Sequence, residues 1–481
     1  MELNNKQKLD KTVFLLLPII LLAFYVAFIP NLDYAYPVHI DEWVHIAHSN
    51  SLLQAASIDY PDPFTGQGNP GIVSVLEAGF HVLFGVFYKI SGISWMDIVR
   101  FFPGIILAVT ALSVYVLGRR EGFGWEAAFF TCLIPTTVGI MGPAFFIPMA
   151  LCLPFIPLSL FLIFNYRTPW SYLLLAVFIC FLIVTHATSA VILIVIIIPS
   201  ILFYLRSEPK HGLILLLMGI VPFLVTLPWT YHLIMTTAKS LLVTQPLPAN
   251  HDLPRILKIY GYVPFGVGLL GTFWLAMKGG IKNYSLVLGL LVMVAVLAVF
   301  FTLHYGVDLI YLRGIIYTLL IIGIVAGAGL MAVKNLKLPD KLPLPGFARR
   351  IGYPLALILI IVILVIAIPA RQNTRYYQMI DKDDYEAFVW IGDNINDSYQ
   401  KAILDPWKAT SFTAITGKYV YARTHIAPDA LTRRADEFLD GGCKNTDFLR
   451  ENGITIVYAP QGCSNPDLVE VNKRVYLLKE P

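Results

Sequence analysis

The stretch Ile72-Val73-Ser74-Val75-Leu76-Glu77-Ala78-Gly79-Phe80-His81-Val82-Leu83-Phe84-Gly85-Val86-Phe87-Tyr88-Lys89-Ile90 decides the topology of this chain. It is apolar and barely long enough to span a bilayer, which takes about 17–25 residues of helix. It also carries Glu77, Gly79, His81 and Lys89. Around it lie less ambiguous apolar runs at 12–30, 98–118, 124–141, 148–166, 170–185, 187–206, 211–230, 259–278, 284–303, 309–333 and 352–369. Basic loops arbitrate, because Lys and Arg gather on the cytoplasmic side. If 72–90 does not span, one side holds Lys6, Lys8, Lys11, Arg119/Arg120, Arg167, Arg206/Lys210, Lys278/Lys282 and the run Lys334 to Arg350. If it does span, every later cluster inverts. The expectation is therefore about eleven spans, a cytoplasmic N-terminus, and a 72–90 helix that is amphipathic or re-entrant at the outer face.

Composition agrees. The 481 residues are 57% hydrophobic and 14% charged, against about a quarter charged in a soluble domain. Most of the chain is solvated by lipid, as expected of a multi-pass protein of the cell membrane. The net charge of +4 is small and its cations sit in short loops, so no nucleic-acid partner is expected. The run Thr12 to Ile29 is long enough to span and no small-residue cleavage site follows it, so no cleavable signal peptide is expected. Cys132, Cys152 and Cys180 fall in apolar segments and read as small core hydrophobes. Cys443 and Cys463 lie in the polar C-terminal region and are candidates for a disulfide if that region faces an oxidising compartment.

The fold expected is an α-helical polytopic membrane protein with a small C-terminal α/β domain. Residues 1–369 form the membrane module, with a first outer loop at 31–97, and residues 370–481 form the extracytoplasmic domain. A helical pattern from Tyr385 to Asn394 and β-rich runs at Ile454–Tyr458 and Arg474–Leu478 suggest that domain's α/β character.

The densest polar cluster is His39-Ile40-Asp41-Glu42-Trp43-Val44-His45-Ile46-Ala47-His48, in the first outer loop. Asp41 and His45 are four apart and share a helix face. Adjacent carboxylates beyond a membrane helix can supply a general base, one acid tuning the other. The plainer reading makes Asp41 a helix N-cap. His39, Asp41, His45 and His48 are also competent metal ligands, though their spacing matches no zinc signature. Further along, Tyr311-Leu312-Arg313 opens a late span, and Arg313 sits about one turn inside the outer leaflet. It either snorkels to the interface or captures a lipid-linked phosphate with its forked donors. Arg255 and Lys258, in the outer loop before span eight, could serve the same anion. The spans themselves hold few ionisable groups, which argues against an ion-coupled transporter.

With these features the chain resembles the GT-C membrane glycosyltransferases, among them protein O-mannosyltransferases, lipid A aminoarabinose transferases and oligosaccharyltransferase catalytic subunits. The resemblance rests on Asp41-Glu42 just after span one and on the Pro/Gly loop and helix ending in Lys89-Ile90-Ser91-Gly92-Ile93-Ser94. It rests also on the outward Tyr311-Leu312-Arg313 and on the soluble domain after the last span. Asp405-Pro406-Trp407 followed by Thr413-Ala414-Ile415-Thr416-Gly417 looks like the tail of prokaryotic, notably archaeal, members.

The resemblance implies inverting transfer of a sugar from a polyprenyl-(di)phosphate carrier to an acceptor hydroxyl at the outer face. It casts Asp41 as catalytic base, Glu42 as its partner and Arg313 as a donor-phosphate ligand, while His39, His45 and Tyr311 are candidates for substrate or metal contact. Partners implied are the polyprenyl-phosphate-linked donor, membrane lipids, and a lipid, glycan or protein acceptor. The loop Gly139 to Pro148 holds no acid, where metal-using oligosaccharyltransferases carry a second acidic motif. This favours a monosaccharide transferase that requires no cofactor over one using a divalent metal. The competing readings are a polyprenyl-lipid flippase and a non-catalytic receptor or assembly protein.

Overall fold

The computed structural model describes residues 14–68, 77–228, 231, 253–303, 308–337, 351–424 and 428–479, with the backbone alone at 253–255 and 308–312. The helices before the tail run in order α1 (Leu16–Phe28), α2 (Ile40–Ala55), α3 (Ala78–Ser91), α4 (Trp95–Arg119), α5 (Gly124–Thr131), α6 (Pro148–Cys152), α7 (Phe155–Asn165) and α8 (Pro169–Ser207). Then come α9 (Pro209–Val225), α10 (Leu253–Tyr260), α11 (Tyr262–Lys278), α12 (Ile281–Leu303), α13 (Asp308–Lys334) and α14 (Gly352–Gln372). The tail adds α15 (Lys382–Asn394), β1 (Lys401–Ile403), α16 (Ala409–Thr416), β2 (Tyr419–Val420), α17 (Ala430–Asp440), α18 (Thr446–Glu451), β3 (Ile456–Tyr458), β4 (Leu468–Asn472) and β5 (Val475–Leu478).

The chain is a multi-pass membrane protein. Among the described residues, six helices are long and apolar enough to cross a bilayer: Trp95–Arg119, Pro148–Asn165, Pro169–Ser207, Ile281–Leu303, Arg313–Lys334 and Gly352–Gln372. Leu16–Asn31, Ala78–Ser91 and Pro209–Val225 are shorter apolar helices. At about 1.5 Å per residue α8 would be about 58 Å long if straight, twice the hydrocarbon core. It breaks at His186, whose backbone is non-helical at φ −162° and ψ 87°, between the two runs 170–185 and 187–206.

One expected span is corrected. The run 124–141 is helical only over Gly124–Thr131. Pro135 removes a backbone donor and restricts Ile134, and the chain then folds back on itself. Thr137 and Ile140 exchange backbone hydrogen bonds of 2.9 and 3.1 Å. The Ala144 amide donates to Thr136 Oγ1 at 3.0 Å. Leu133, Ile134, Phe145 and Phe146 are buried, so the segment is an ordered buried loop.

By its contacts the chain divides into two compact units. The first holds the described residues of Met1–Leu32 and Phe101–Arg375; the second holds Asp33–Arg100 and Tyr376–Pro481. The loop counted above with the membrane module thus clusters with the tail.

The first unit is built around α13, which packs on α5, α11, α12 and α14. Lipid is as apolar as a leucine side chain, so association there depends on close backbone packing and small residues. The tightest crossing is reciprocal. A Cβ on Gly271 of α11 would fall 2.7 Å from the Gly329 nitrogen, and one on Gly329 of α13 would fall 2.9 Å from the Gly271 nitrogen. Facing α5, Gly327 leaves no room for a side chain against Ala127. The buried carboxylate of Glu126 on α5 is paired with Lys334 at the end of α13.

In the second unit the sheet order is β2-β1-β3-β5-β4. β1 runs parallel to β2 and β3, whereas β5 runs antiparallel to β3 and β4. Phe388 of α15 packs edge-on against Phe412 of α16 and Tyr458 of β3. A disulfide joins Cys443 and Cys463, whose Cα atoms are 5.3 Å apart. Loop and tail are stitched by polar contacts: the Val420 amide donates to the Phe64 carbonyl at 2.9 Å, and Asn50 Nδ2 to the Ala414 carbonyl at 3.1 Å. Asp384 is buried, accepting from Lys408 Nζ at 2.6 Å and from the Tyr458 hydroxyl at 2.6 Å. Burial pushes this carboxyl up, but the Lys408 and Tyr458 hydrogen bonds outweigh it and hold the carboxyl below its ordinary value.

Two outcomes follow for stability in detergent, both read by thermal unfolding. Gly329→Ala should lower stability by about 1–3 kcal/mol through overpacking, whereas Gly266→Ala, where a Cβ meets nothing within 4 Å, should leave it unchanged or slightly raised. Lys408→Met strands a buried carboxylate and should cost about 3–5 kcal/mol near neutrality. Because the folded Asp384 is the stronger acid, its stabilisation is present above the unfolded carboxyl's pKa and lost as pH falls through the folded one. Lys408→Met should flatten that acid-side loss.

Candidate functional site

The site of the second unit begins at the head of α2. His39 is the N-cap, in extended backbone at φ −135° and ψ 148°. Its Nδ1 accepts from the Asp41 amide at 3.2 Å. Glu42 reaches back, its Oε2 accepting from the amides of Val38 at 2.8 Å and His39 at 3.0 Å. This is a capping box with histidine in the place usually held by serine or threonine. The plain reading of Asp41 as the cap is therefore corrected: His39 caps, and Asp41 stands in the first turn. Glu42, cast as a chemical partner, is buried and holds the backbone that carries Asp41.

Asp41 retains 17% side-chain exposure, with Oδ1 3.8 Å from His39 Nδ1. The backbone of Tyr377, just before the tail's first helix, donates to the Val38 carbonyl at 3.3 Å. Its ring lies 5.3 Å from that of His39 and 5.8 Å from that of Trp407. Tyr377 and Trp407 are both more than a third exposed. The Tyr377 phenol is raised by burial and then by the charge of Asp41, which places its ring within the carboxylate's field. A half-open carboxylate beside two exposed aromatic faces is an arrangement that can take a hydroxyl proton while apolar ring surface is offered to a sugar.

Deeper along α2, His45 and His48 point to α3. His45 Nδ1 is 3.1 Å from His81 Nε2 and 3.9 Å from Glu77 Oε2. His48 is stacked on His81 with centroids 5.3 Å apart, and its Nδ1 meets the Tyr60 hydroxyl at 3.1 Å. Burial, helped by the Arg423 charge, pushes His48 down to about 3, so its ring is neutral near pH 7. The metal reading is corrected accordingly. Among the described residues the donors that come together are His45, Glu77 and His81, not His39, Asp41 and His45.

Arg313 belongs to the first unit. It lies on α13 and donates to Met141 Sδ, in the buried loop after α5. Arg371, at the end of α14, is buried and donates to the Leu133 carbonyl of the same loop. One turn on from Arg313, the Tyr317 hydroxyl is bonded to Ser189 Oγ, which is 2.6 Å from His186 Nδ1. Lys258 is exposed on α10, while the side chains of Arg255 and Tyr311 lie outside the described residues. Arg371, Tyr377 and the pair Glu77/His81 were not singled out as site residues from sequence. The i, i+4 spacing of Glu77 and His81 is a signal that could have been read; the nearness of Tyr377 to Asp41 is not local.

No protein-family model and no curated protein matches the chain. Solved structures do. The archaeal oligosaccharyltransferase AglB from Archaeoglobus fulgidus, in complex with an inhibitory peptide and a dolichol-phosphate, superimposes with a TM-score of 0.64 at 13% identity over 94% of this chain and 70% of that one. The arabinofuranosyltransferase AftD from Mycobacteria gives 0.59 at 15% identity, covering 97% of this chain and 40% of that one. ArnT from Cupriavidus metallidurans bound to undecaprenyl phosphate gives 0.53 at 14% identity, covering 98% and 99%. The chain has the fold of the GT-C membrane glycosyltransferases.

Proposed function

We propose that the chain is an inverting glycosyltransferase that moves a sugar from a polyprenyl-(di)phosphate carrier to an acceptor hydroxyl, with Asp41 as general base. The observation that carries the reading is a part-exposed carboxylate, fixed by a capping box and set beside exposed aromatic rings, in a chain whose fold is that of lipid-linked sugar transferases. Two structures of that fold were solved with dolichol-phosphate and undecaprenyl phosphate, which supports a polyprenyl phosphate carrier. The N-terminus is cytoplasmic by the basic loops, and the second unit lies outside the cytoplasm, as the Cys443–Cys463 disulfide supports.

In the reaction, Asp41 takes the proton of the acceptor hydroxyl while its oxygen bonds to the anomeric carbon. The bond from that carbon to the phosphate oxygen breaks, and the electron pair leaves with the lipid phosphate. That leaving group is already a stabilised anion, so it needs a cation rather than a proton. Arg313 supplies the cation, with Lys258 or Arg255 as further candidates, and no step requires a metal. The acid-free loop from Gly139 to Pro148 favours a single sugar moved to a hydroxyl over oligosaccharide transfer to asparagine.

Purified protein incubated with radiolabelled polyprenyl-phosphate sugars and candidate acceptors tests this, with release of lipid phosphate as the readout. Asp41→Asn keeps the shape and removes the base, and turnover should fall about 10²–10⁴-fold; near-normal turnover on a true acceptor would sink the assignment. Arg313→Ala should weaken donor binding about 10–100-fold through loss of a charged hydrogen bond, measured by donor titration; unchanged binding removes Arg313 from the site. Transbilayer movement of the lipid without its cleavage would replace the transferase with a flippase.

A further inference from the structure

We propose that His45, Glu77 and His81 bind one divalent cation of the zinc class and that this ion clamps α3 onto α2. The two helices meet along matched stripes. On α2, His45, Ser49 and Leu53 follow one another at four-residue steps; Glu77, at the N-cap of α3, begins a second series with His81 and Gly85. At one end of the seam a Cβ on Gly85 would stand 3.2 Å from Leu53 Cγ and 3.4 Å from the Ser49 carbonyl oxygen, so the helices approach closely there. At the other end the same register brings two imidazole nitrogens and a carboxylate oxygen together, all within 4.8 Å of one another.

Several properties of this trio suit an ion. The 3.1 Å between His45 Nδ1 and His81 Nε2 is close to the ligand–ligand separation of about 3.3 Å that a tetrahedral ion with bonds of about 2.0–2.1 Å requires. Glu77 Oε2, 3.9 Å from His45 Nδ1, reaches that separation with a small rotation. Two imidazoles and one carboxylate form a donor set that zinc accepts, and three protein ligands leave a fourth position for water. Both histidines are buried, so water competes poorly for them. His45 is held edge-on by Phe80 at 5.1 Å and His81 is stacked on His48, which fixes the rings before any ion arrives. Without an ion, the two facing nitrogens share a single proton; a cation satisfies both and the carboxylate together.

This ion is separate from the chemistry assigned to Asp41, and its test uses no sugar. Full-length protein, stripped with chelator in detergent, is titrated with Zn²⁺ by calorimetry and with Co²⁺ by visible absorption. The expected result is one equivalent per chain, a four-coordinate Co²⁺ spectrum and a raised unfolding temperature. Glu77→Gln, which keeps the side chain's shape, should weaken binding at least about tenfold while eluting as a folded monodisperse species. Should His81→Asn fail to fold, the wild-type stoichiometry and the Glu77→Gln affinity still decide. Stripped wild-type protein that takes up no stoichiometric metal overturns the proposal, as does a folded Glu77→Gln variant that binds as tightly as the wild type.

Discussion

The capping box at the head of α2 is the contact on which the second unit depends. A helix beginning in a loop leaves its first amides without partners, and here one carboxylate answers two of them while a histidine nitrogen answers a third. The arrangement fixes the start of α2 to the residue, and with it the direction of every side chain that follows. Asp41 is left in the first turn, free of capping duty. Downstream, the helix packs on α3 and on α16, so a loop element becomes the axis around which two distant pieces of sequence assemble.

The first unit depends on a different economy of space. Its helices have no water to escape, so small residues rather than apolar bulk set how closely they pack. Gly271, Gly327 and Gly329 permit backbone to meet backbone along α13. The loop after α5 cannot be helical, yet its polar groups must still be satisfied at depth. It manages this by internal turns and by accepting donors from Arg371 and Arg313.

Much of this was legible in the sequence. Hydropathy located most helices because lipid demands long apolar runs, and the division at His186 fell between two of them. Asp41 was legible through position, as an acid just beyond a span. The failure at 124–141 has a local cause: apolar content suggested a helix, but Pro135, Gly139, Gly142 and Pro143 forbid a continuous one. The cap was misassigned because histidine is an uncommon capping residue. The meeting of His45 with Glu77 and His81 was not legible, because it follows from the register between two helices rather than from spacing in one. The union of loop and tail is likewise written in contacts between remote residues.

That union has a consequence for biosynthesis. Residues 33–100 leave the ribosome early, and the partner they pack against is made only after the whole of 101–375. At about 5–20 residues per second the delay is roughly 15–55 s, long compared with the microseconds in which a single helix forms. Throughout that interval the faces of α2 that will meet α16 have nothing of their own chain to cover them. The polypeptide must therefore pass through a state in which its membrane helices are threaded while its polar unit is half-made. Events that shield α2 during this wait, or that hasten arrival of the tail, govern the yield of folded protein more than the final stability does.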